Sequence, residues 1–226
     1  MNNKFFAPLL VAVLAFTLQT TYASSLIYSA TLTPVPAGSS PSPGANVLFS
    51  GTSTFSALDF SGTLFSTVLN NDSSNPYGLA NLTFTYLIQM DPTTVDPVSR
   101  FTISSFANFL TDVSETTSNP GDIVPSSVNR SIAPGNVVRF SFDTMLLGAG
   151  TTSALLVIQT DAQNWTTTSA GLVDGVGTQA DSVAPTPVVS VPEPSQIMLG
   201  ALSLFGLLIF RRCNKGQSQT DAITGK

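Results

Sequence analysis

The chain has 226 residues, only 9% of them charged, and a formal net charge of −5. This length suits one domain plus targeting segments, and the composition excludes a coiled coil or a highly charged disordered chain. Between Ser24 and Ser190, three Arg and no Lys stand against 11 Asp or Glu, a balance of −8; a segment so poor in cations cannot neutralise phosphates, which excludes nucleic acid as a partner.

Taken in order, the chain opens with a short basic start (Lys4), an apolar stretch (Phe5–Leu18) and Thr21-Tyr22-Ala23. These read as a secretory signal peptide over residues 1–23, cleaved between Ala23 and Ser24. From Ser24 onward, β-type runs alternate with turn residues. Leu26–Thr33, Val47–Phe55 and Phe60–Leu69 predict strands, with Pro34–Gly44 as a loop and Gly51 and Gly62 at bulges. Asn70–Pro76 predicts a turn. In Asn81–Met90, Leu82, Phe84, Tyr86, Ile88 and Met90 alternate with polar residues, the period-two pattern of a strand with one buried face.

Ser104–Val113 is ambiguous: Phe106, Phe109, Leu110 and Val113 have helical spacing, but the Ser/Thr/Phe content suits a strand and turn. Val137–Asp143 alternates again, Leu155–Thr160 suits a central strand, and Asp174-Gly175 predicts a tight hairpin. About eight strands at this spacing predict an all-β fold, a single antiparallel β-sandwich-like ectodomain over 24–182. Val183–Val191 reads as the start of a Pro-rich stalk over 183–195.

The groups needed for chemistry are sparse. There is no His, and the single Cys is Cys213, near the C-terminus, so disulfides within the domain, His- or Cys-based metal sites, and Ser-His-Asp, Cys-His or Ser-Lys catalysis have no residues to build them. The one Glu of the domain, Glu115, lies near Asp112, and the pair reads as a solvated turn rather than a glycosidase pair. Asp72, Asp91, Asp96, Asp122, Asp174 and Asp181 fall in expected loops but lack the spacing of a calcium loop, and read as solvated. Trp165 with Tyr77 and Tyr86 is a candidate sugar-stacking platform, against which a core Trp is the simpler reading. Ser and Thr make up 49 of the 167 residues from Ser24 to Ser190 and are expected on the solvated faces of strands. Sequons at Asn71, Asn81, Asn129 and Asn164 carry little weight in a chain this rich in Ser, Thr and Asn. The expectation is a non-catalytic protein without a cofactor or metal.

The most specific signal lies near the C-terminus. Val191-Pro192-Glu193-Pro194-Ser195 precedes an uncharged apolar run, Ile197–Phe210, which Arg211-Arg212 closes. As a helix the run is about 21 Å long, short against a hydrocarbon core of about 30 Å. Its flanking basic pair and the upstream stalk nonetheless favour a transmembrane helix over 196–210, with 211–226 as a cytoplasmic tail and the domain outside.

This order of parts resembles the PEP-CTERM sorting signal of bacterial surface proteins. The resemblance implies that Pro192, Glu193 and Pro194 are recognised by an exosortase, a membrane transpeptidase of which this chain is the substrate, with Arg211 and Arg212 as the basic stop. The chain departs from the family by continuing as a polar tail, Asn214–Lys226. The stretches Arg100–Val113, Ser126–Ser131 and Leu155–Gly175 also resemble ectodomains that occur beside such signals. The expected role is a cell-envelope protein associated with exopolysaccharide or biofilm matrix. The alternative is a sugar- or calcium-dependent adhesin on a plain membrane anchor.

Overall fold

The structure, a computed structural model, describes residues 23–38 and 41–186. The expected signal peptide up to residue 22, the sorting motif Pro192-Glu193-Pro194, the apolar segment 196–210 and Arg211-Arg212 lie outside the described residues. Among the described residues there is no helix, and so none long and apolar enough to cross a membrane.

The fold is all-β, built from two antiparallel six-stranded sheets. The first contains β1 (Ser24–Ser25), β3 (Asn46–Ser56), β4 (Ser61–Asn70), β5 (Thr83–Met90), β7 (Thr111–Thr116) and β10 (Leu155–Thr160), in the order β1-β7-β10-β5-β4-β3. The second contains β2 (Thr31–Leu32), β6 (Arg100–Ile103), β8 (Ser127–Arg130), β9 (Val138–Ser141), β11 (Trp165–Asp174) and β12 (Val176–Pro185), in the order β12-β11-β6-β9-β8-β2. Inward side chains of both sheets share one core, including Phe84, Tyr86, Ile158 and Leu156 from the first and Phe101, Phe140, Val128 and Leu172 from the second. Tyr86 and Phe101 pack with ring centroids 5.3 Å apart. Each such buried ring contributes on the order of 2 kcal/mol by leaving water. The Tyr86 hydroxyl, fully buried, donates to the Val183 carbonyl at 2.8 Å.

The strand expected in Asn81–Met90 forms with its apolar residues in the core, but its other face is covered too at Thr83 and Thr85, and Gly175, with φ of 63°, makes the tight β11–β12 turn. Three expectations are corrected, and one ambiguous stretch is resolved. Leu26–Thr33 is not one strand: within it only Thr31–Leu32 (β2) pairs, with β8, while β1, just before it, pairs with β7, so the segment connects the two sheets and turns at Ser29 (φ 61°). Of the two readings of Ser104–Val113, the turn and strand is the one formed, and the helix is not. Phe106 inserts into the core against Phe84 (5.8 Å) while Leu110 faces solvent, and β7 begins only at Thr111. Val183 and Ala184, read as stalk, are buried residues of β12, because the strand must continue to cover Trp165 and Tyr86. Many hydroxyls expected on solvated faces are enclosed, among them Thr83, Ser114, Ser153, Thr160 and the hydrogen-bonded pair Ser66–Ser182.

The registers place the strand ends. Thr160 lies beside Thr111, Gln159 beside Thr83, Leu69 beside Thr83, and Asn46 beside Asn70. At the same end of the second sheet Trp165 meets Pro185, Ile103 meets Val138, and Arg130 meets Val138. The connections 26–30, 71–82, 104–110, 131–137 and 161–164 therefore cluster at one end, where the described chain also stops, and 57–60, 91–99, 117–126 and 142–154 cluster at the other.

Candidate functional site

On the face of the first sheet turned away from the core, Thr83, Ser114, Val157 and Gln159 are fully buried. They are covered because the 71–82 connection folds back over the sheet, and its polar residues find partners there. Asp72 is the centre of this arrangement. Its Oδ1 accepts from the Ser42 backbone N–H (2.9 Å), the Ser74 backbone N–H (3.1 Å) and the Ser74 hydroxyl (2.6 Å). Its Oδ2 accepts from the Thr83 hydroxyl (2.8 Å) and the Gln159 amide (3.3 Å). Burial alone would push this carboxyl up, but the Ser74, Ser42 and Thr83 hydrogen bonds outweigh it and hold its pKa at about 2. The expectation of a solvated turn aspartate is therefore wrong for Asp72. The Asn70–Pro76 turn has a sheet to land on, which sequence spacing does not reveal. Chemically the carboxylate is a bound anion ringed by donors, unsuited to act as a base or to ligate a cation.

Beside it, the Asn75 amide donates to the Leu82 and Thr160 carbonyls, and the Tyr77 hydroxyl donates to Asp112 at 2.6 Å. Burial, then the bond to Asp112 and the charges of Asp112 and Asp161, push the Tyr77 hydroxyl well above its ordinary value, so it remains a donor.

Asp112 and Glu115 are corrected together: they are not a solvated turn but buried residues of β7. Their odd separation sends them to opposite faces, Asp112 toward Tyr77 and Glu115 to the side that carries Val113 and its partner Ile158 in the core. Two carboxylates on opposite sides of a sheet cannot flank one glycosidic bond. On the edge of β7 that also pairs with β1, the Glu115 backbone N–H donates to the Pro36 carbonyl (2.9 Å) and its carbonyl accepts from Gly38 N–H (2.8 Å). The Glu115 side chain is buried, and its Oε2 has no hydrogen-bond partner.

Burial pushes the Glu115 carboxyl up, so its stabilising contribution is complete below the unfolded pKa and lost as pH rises through the folded one. Glu115→Gln is therefore expected to raise stability by about 1 kcal/mol at pH 7 and to change little at pH 4. Urea unfolding at the two pH values checks this, and an equal effect at both would refute it.

The other candidates do not converge. Tyr86 is in the core, Tyr77 is on the outer face of the first sheet, and Trp165 is half-buried on β11 against Phe49, with ring centroids 4.9 Å apart, so the three share no platform. Asp91 accepts from the Ser61 hydroxyl, Asp122 accepts from the backbones of Ser118 and Asn119, and Asp174 and Asp181 lie on β11 and β12. Among the described residues no three acidic side chains gather as a metal site. Of the sorting and cleavage residues, Ala23 and Ser24 are described: Ala23 is half-buried, and Ser24 opens β1 opposite Val113.

One feature that sequence reasoning missed is Arg130, buried at the end of β8. Its Nε donates to the Gly135 carbonyl (2.9 Å), one terminal nitrogen to Leu26 (3.1 Å), and the other to Phe106 and Phe109 (both 2.7 Å). Its guanidinium carbon stands 4.7 Å from the centre of the Tyr28 ring. Burial lowers its pKa, the charge of Asp161 opposes this, and the group stays a cation. Only its rarity, as one of three Arg in an acidic domain, marked it in the sequence.

No family model matches the chain, and no curated protein or solved structure does either.

Proposed function

We propose that this chain is a non-catalytic, exported surface protein that an exosortase sorts through a PEP-CTERM signal, and that it serves in the envelope or its exopolysaccharide matrix. The observation that carries the reading is the order of parts at the C-terminus: Pro192-Glu193-Pro194, the apolar run Ile197–Phe210, then Arg211-Arg212. On this reading residues 1–23 are removed as a signal peptide, the β-domain lies outside the cytoplasm, and residues 196–210 cross the membrane until the signal is processed. The dispersal of the acidic side chains, the saturation of Asp72 and the separation of Asp112 from Glu115 support a scaffold rather than a catalyst. The separation of Trp165, Tyr77 and Tyr86 weighs against the adhesin alternative with an aromatic sugar platform.

The test is the mass of the mature surface protein, produced in a bacterium that has an exosortase. Loss of Ile197–Lys226 is expected from the wild-type chain, while Glu193→Ala keeps those residues. A mature wild-type protein that still contains Ile197–Lys226 refutes the sorting reading.

A further inference from the structure

We propose that the end of the β-domain from which the chain leaves is a membrane-facing surface, which rests on the bilayer interface while the anchor is in place. The proposal builds on the reading of residues 196–210 as a membrane segment.

Its first support is the distribution of exposed apolar side chains. Ile27, Val47, Leu48, Leu79, Leu110 and Ile132 come from five separate stretches of sequence, yet strand register brings all of them to the end where β12 finishes. Their exposure runs from 46% for Leu48 to 76% for Ile132. The far end also exposes large apolar residues, Leu58, Val95, Met145, Leu146 and Val176, so exposure alone does not separate the two poles and the charge beside these residues decides between them. Tyr28, 42% exposed, and the half-buried Trp165, packed on Phe49, add the amphipathic rings that favour the level of lipid headgroups.

The second support is charge. At the far end every loop carries a carboxylate: Asp59, Asp91, Asp96, Asp122 and Asp143, with Asp174 at the β11–β12 turn. The apolar residues exposed there, such as Leu58 and Val95, stand directly beside Asp59 and Asp96. At the exit end Asp72 is enclosed, Asp112 is bonded to Tyr77, and Asp161 accepts the Leu110 backbone N–H at 2.9 Å. An anionic pole and a nearly uncharged apolar pole orient the domain toward a lipid surface.

The third is reach. Trp165 pairs with Pro185, and the Thr186 backbone donates to Asn164 at 3.0 Å, so the chain departs at the rim of this surface. Ten residues, 187–196, then separate Thr186 from Ile197, and three of them are Pro. Fully extended they span at most about 35 Å, which tethers the domain close to the bilayer into which Ile197–Phe210 would insert.

Trp165 is the single Trp of the chain and serves as an internal reporter. The full chain, with Ile197–Lys226 intact, is reconstituted in phosphatidylcholine vesicles with plain or brominated acyl chains. Co-flotation and Trp165 emission are then measured. The expected result is a blue shift and a loss of emission with brominated lipid, both reversed in Val47→Asp/Leu48→Asp, whose exposed positions leave the fold intact and whose co-flotation is unchanged. A chain that co-floats with unquenched Trp165 overturns this inference and leaves the membrane segment standing. If Trp165 is unquenched but becomes shielded from acrylamide as protein density rises, a second copy occupies the surface instead. A chain that does not co-float overturns both readings.

Discussion

Replacing Asp72 by Asn is expected to lower the free energy of unfolding by about 3 kcal/mol at pH 7. The side chain is fully buried, and its two oxygens take five hydrogen bonds from Ser42, Ser74, Thr83 and Gln159. Asn presents an NH₂ group where one acceptor stood. If that group replaces Oδ2, it points donors at the Gln159 amide; if it replaces Oδ1, it points them at two backbone N–H groups that cannot rotate away.

The same residue sets a pH dependence. A folded pKa of about 2 lies below the ordinary 3.8, so the carboxylate's contribution is complete above about pH 4 and is lost as pH falls toward 2. The difference corresponds to ~2.5 kcal/mol. Urea unfolding of wild type and Asp72→Asn at pH 7, 4 and 2 is the measurement, and the two chains should converge only at the acid end. Glu115 works in the opposite direction, since acidification relieves its burial, so the Asp72 slope is cleanest in a Glu115→Gln background. Equal stability of the two chains at pH 7, or parallel curves down to pH 2, would remove Asp72 as the element that fastens the 71–82 connection to its sheet.

Asp72 also shows where sequence reading stops. Alternation in Asn81–Met90 and the Asp174-Gly175 turn are local signals, and they gave a strand and a hairpin that the structure contains. A solvated turn aspartate and an enclosed one have the same local sequence. What separates them is whether a connection stands free or folds onto Thr83 and Gln159, and Gln159 is 87 residues away. The same limit explains Asp112 and Glu115: strand periodicity would have assigned them opposite faces, but the Thr/Ser-rich stretch around them read as a turn. Leu26–Thr33 read as one strand from its β-type residues, although only Thr31–Leu32 pairs as a strand and the chain before it leaves the other sheet. The apolar pole was invisible for the same reason, since its residues are scattered from Ile27 to Ile132 and only register assembles them. The residues of the proposed sorting motif, by contrast, are contiguous in the sequence.

Arg130 ties these long-range features together, and its removal is expected to cost as much as any single change in the domain. Its guanidinium donates to carbonyls in three connections, Leu26 in 26–30, Phe106 and Phe109 in 104–110, and Gly135 in 131–137. Arg130→Met leaves those buried acceptors without donors and removes the cation over the Tyr28 ring, an expected loss of about 4 kcal/mol. Arg130→Lys keeps the charge but places three donors on one nitrogen, which cannot reach carbonyls arranged around a planar fork, so about 3 kcal/mol of that loss is expected to remain. Urea unfolding gives the magnitudes. Amide exchange gives the location, with Leu26, Phe109 and Gly135 losing protection before the β4–β5 pair does. If lysine restores wild-type stability, the guanidinium geometry is irrelevant and a simple buried charge explains the site. These three connections also present Ile27, Leu110 and Ile132 at the apolar pole. An arginine that satisfies their backbones from within frees them to turn apolar side chains outward, so loosening it should blur the membrane-facing surface as well as weaken the fold.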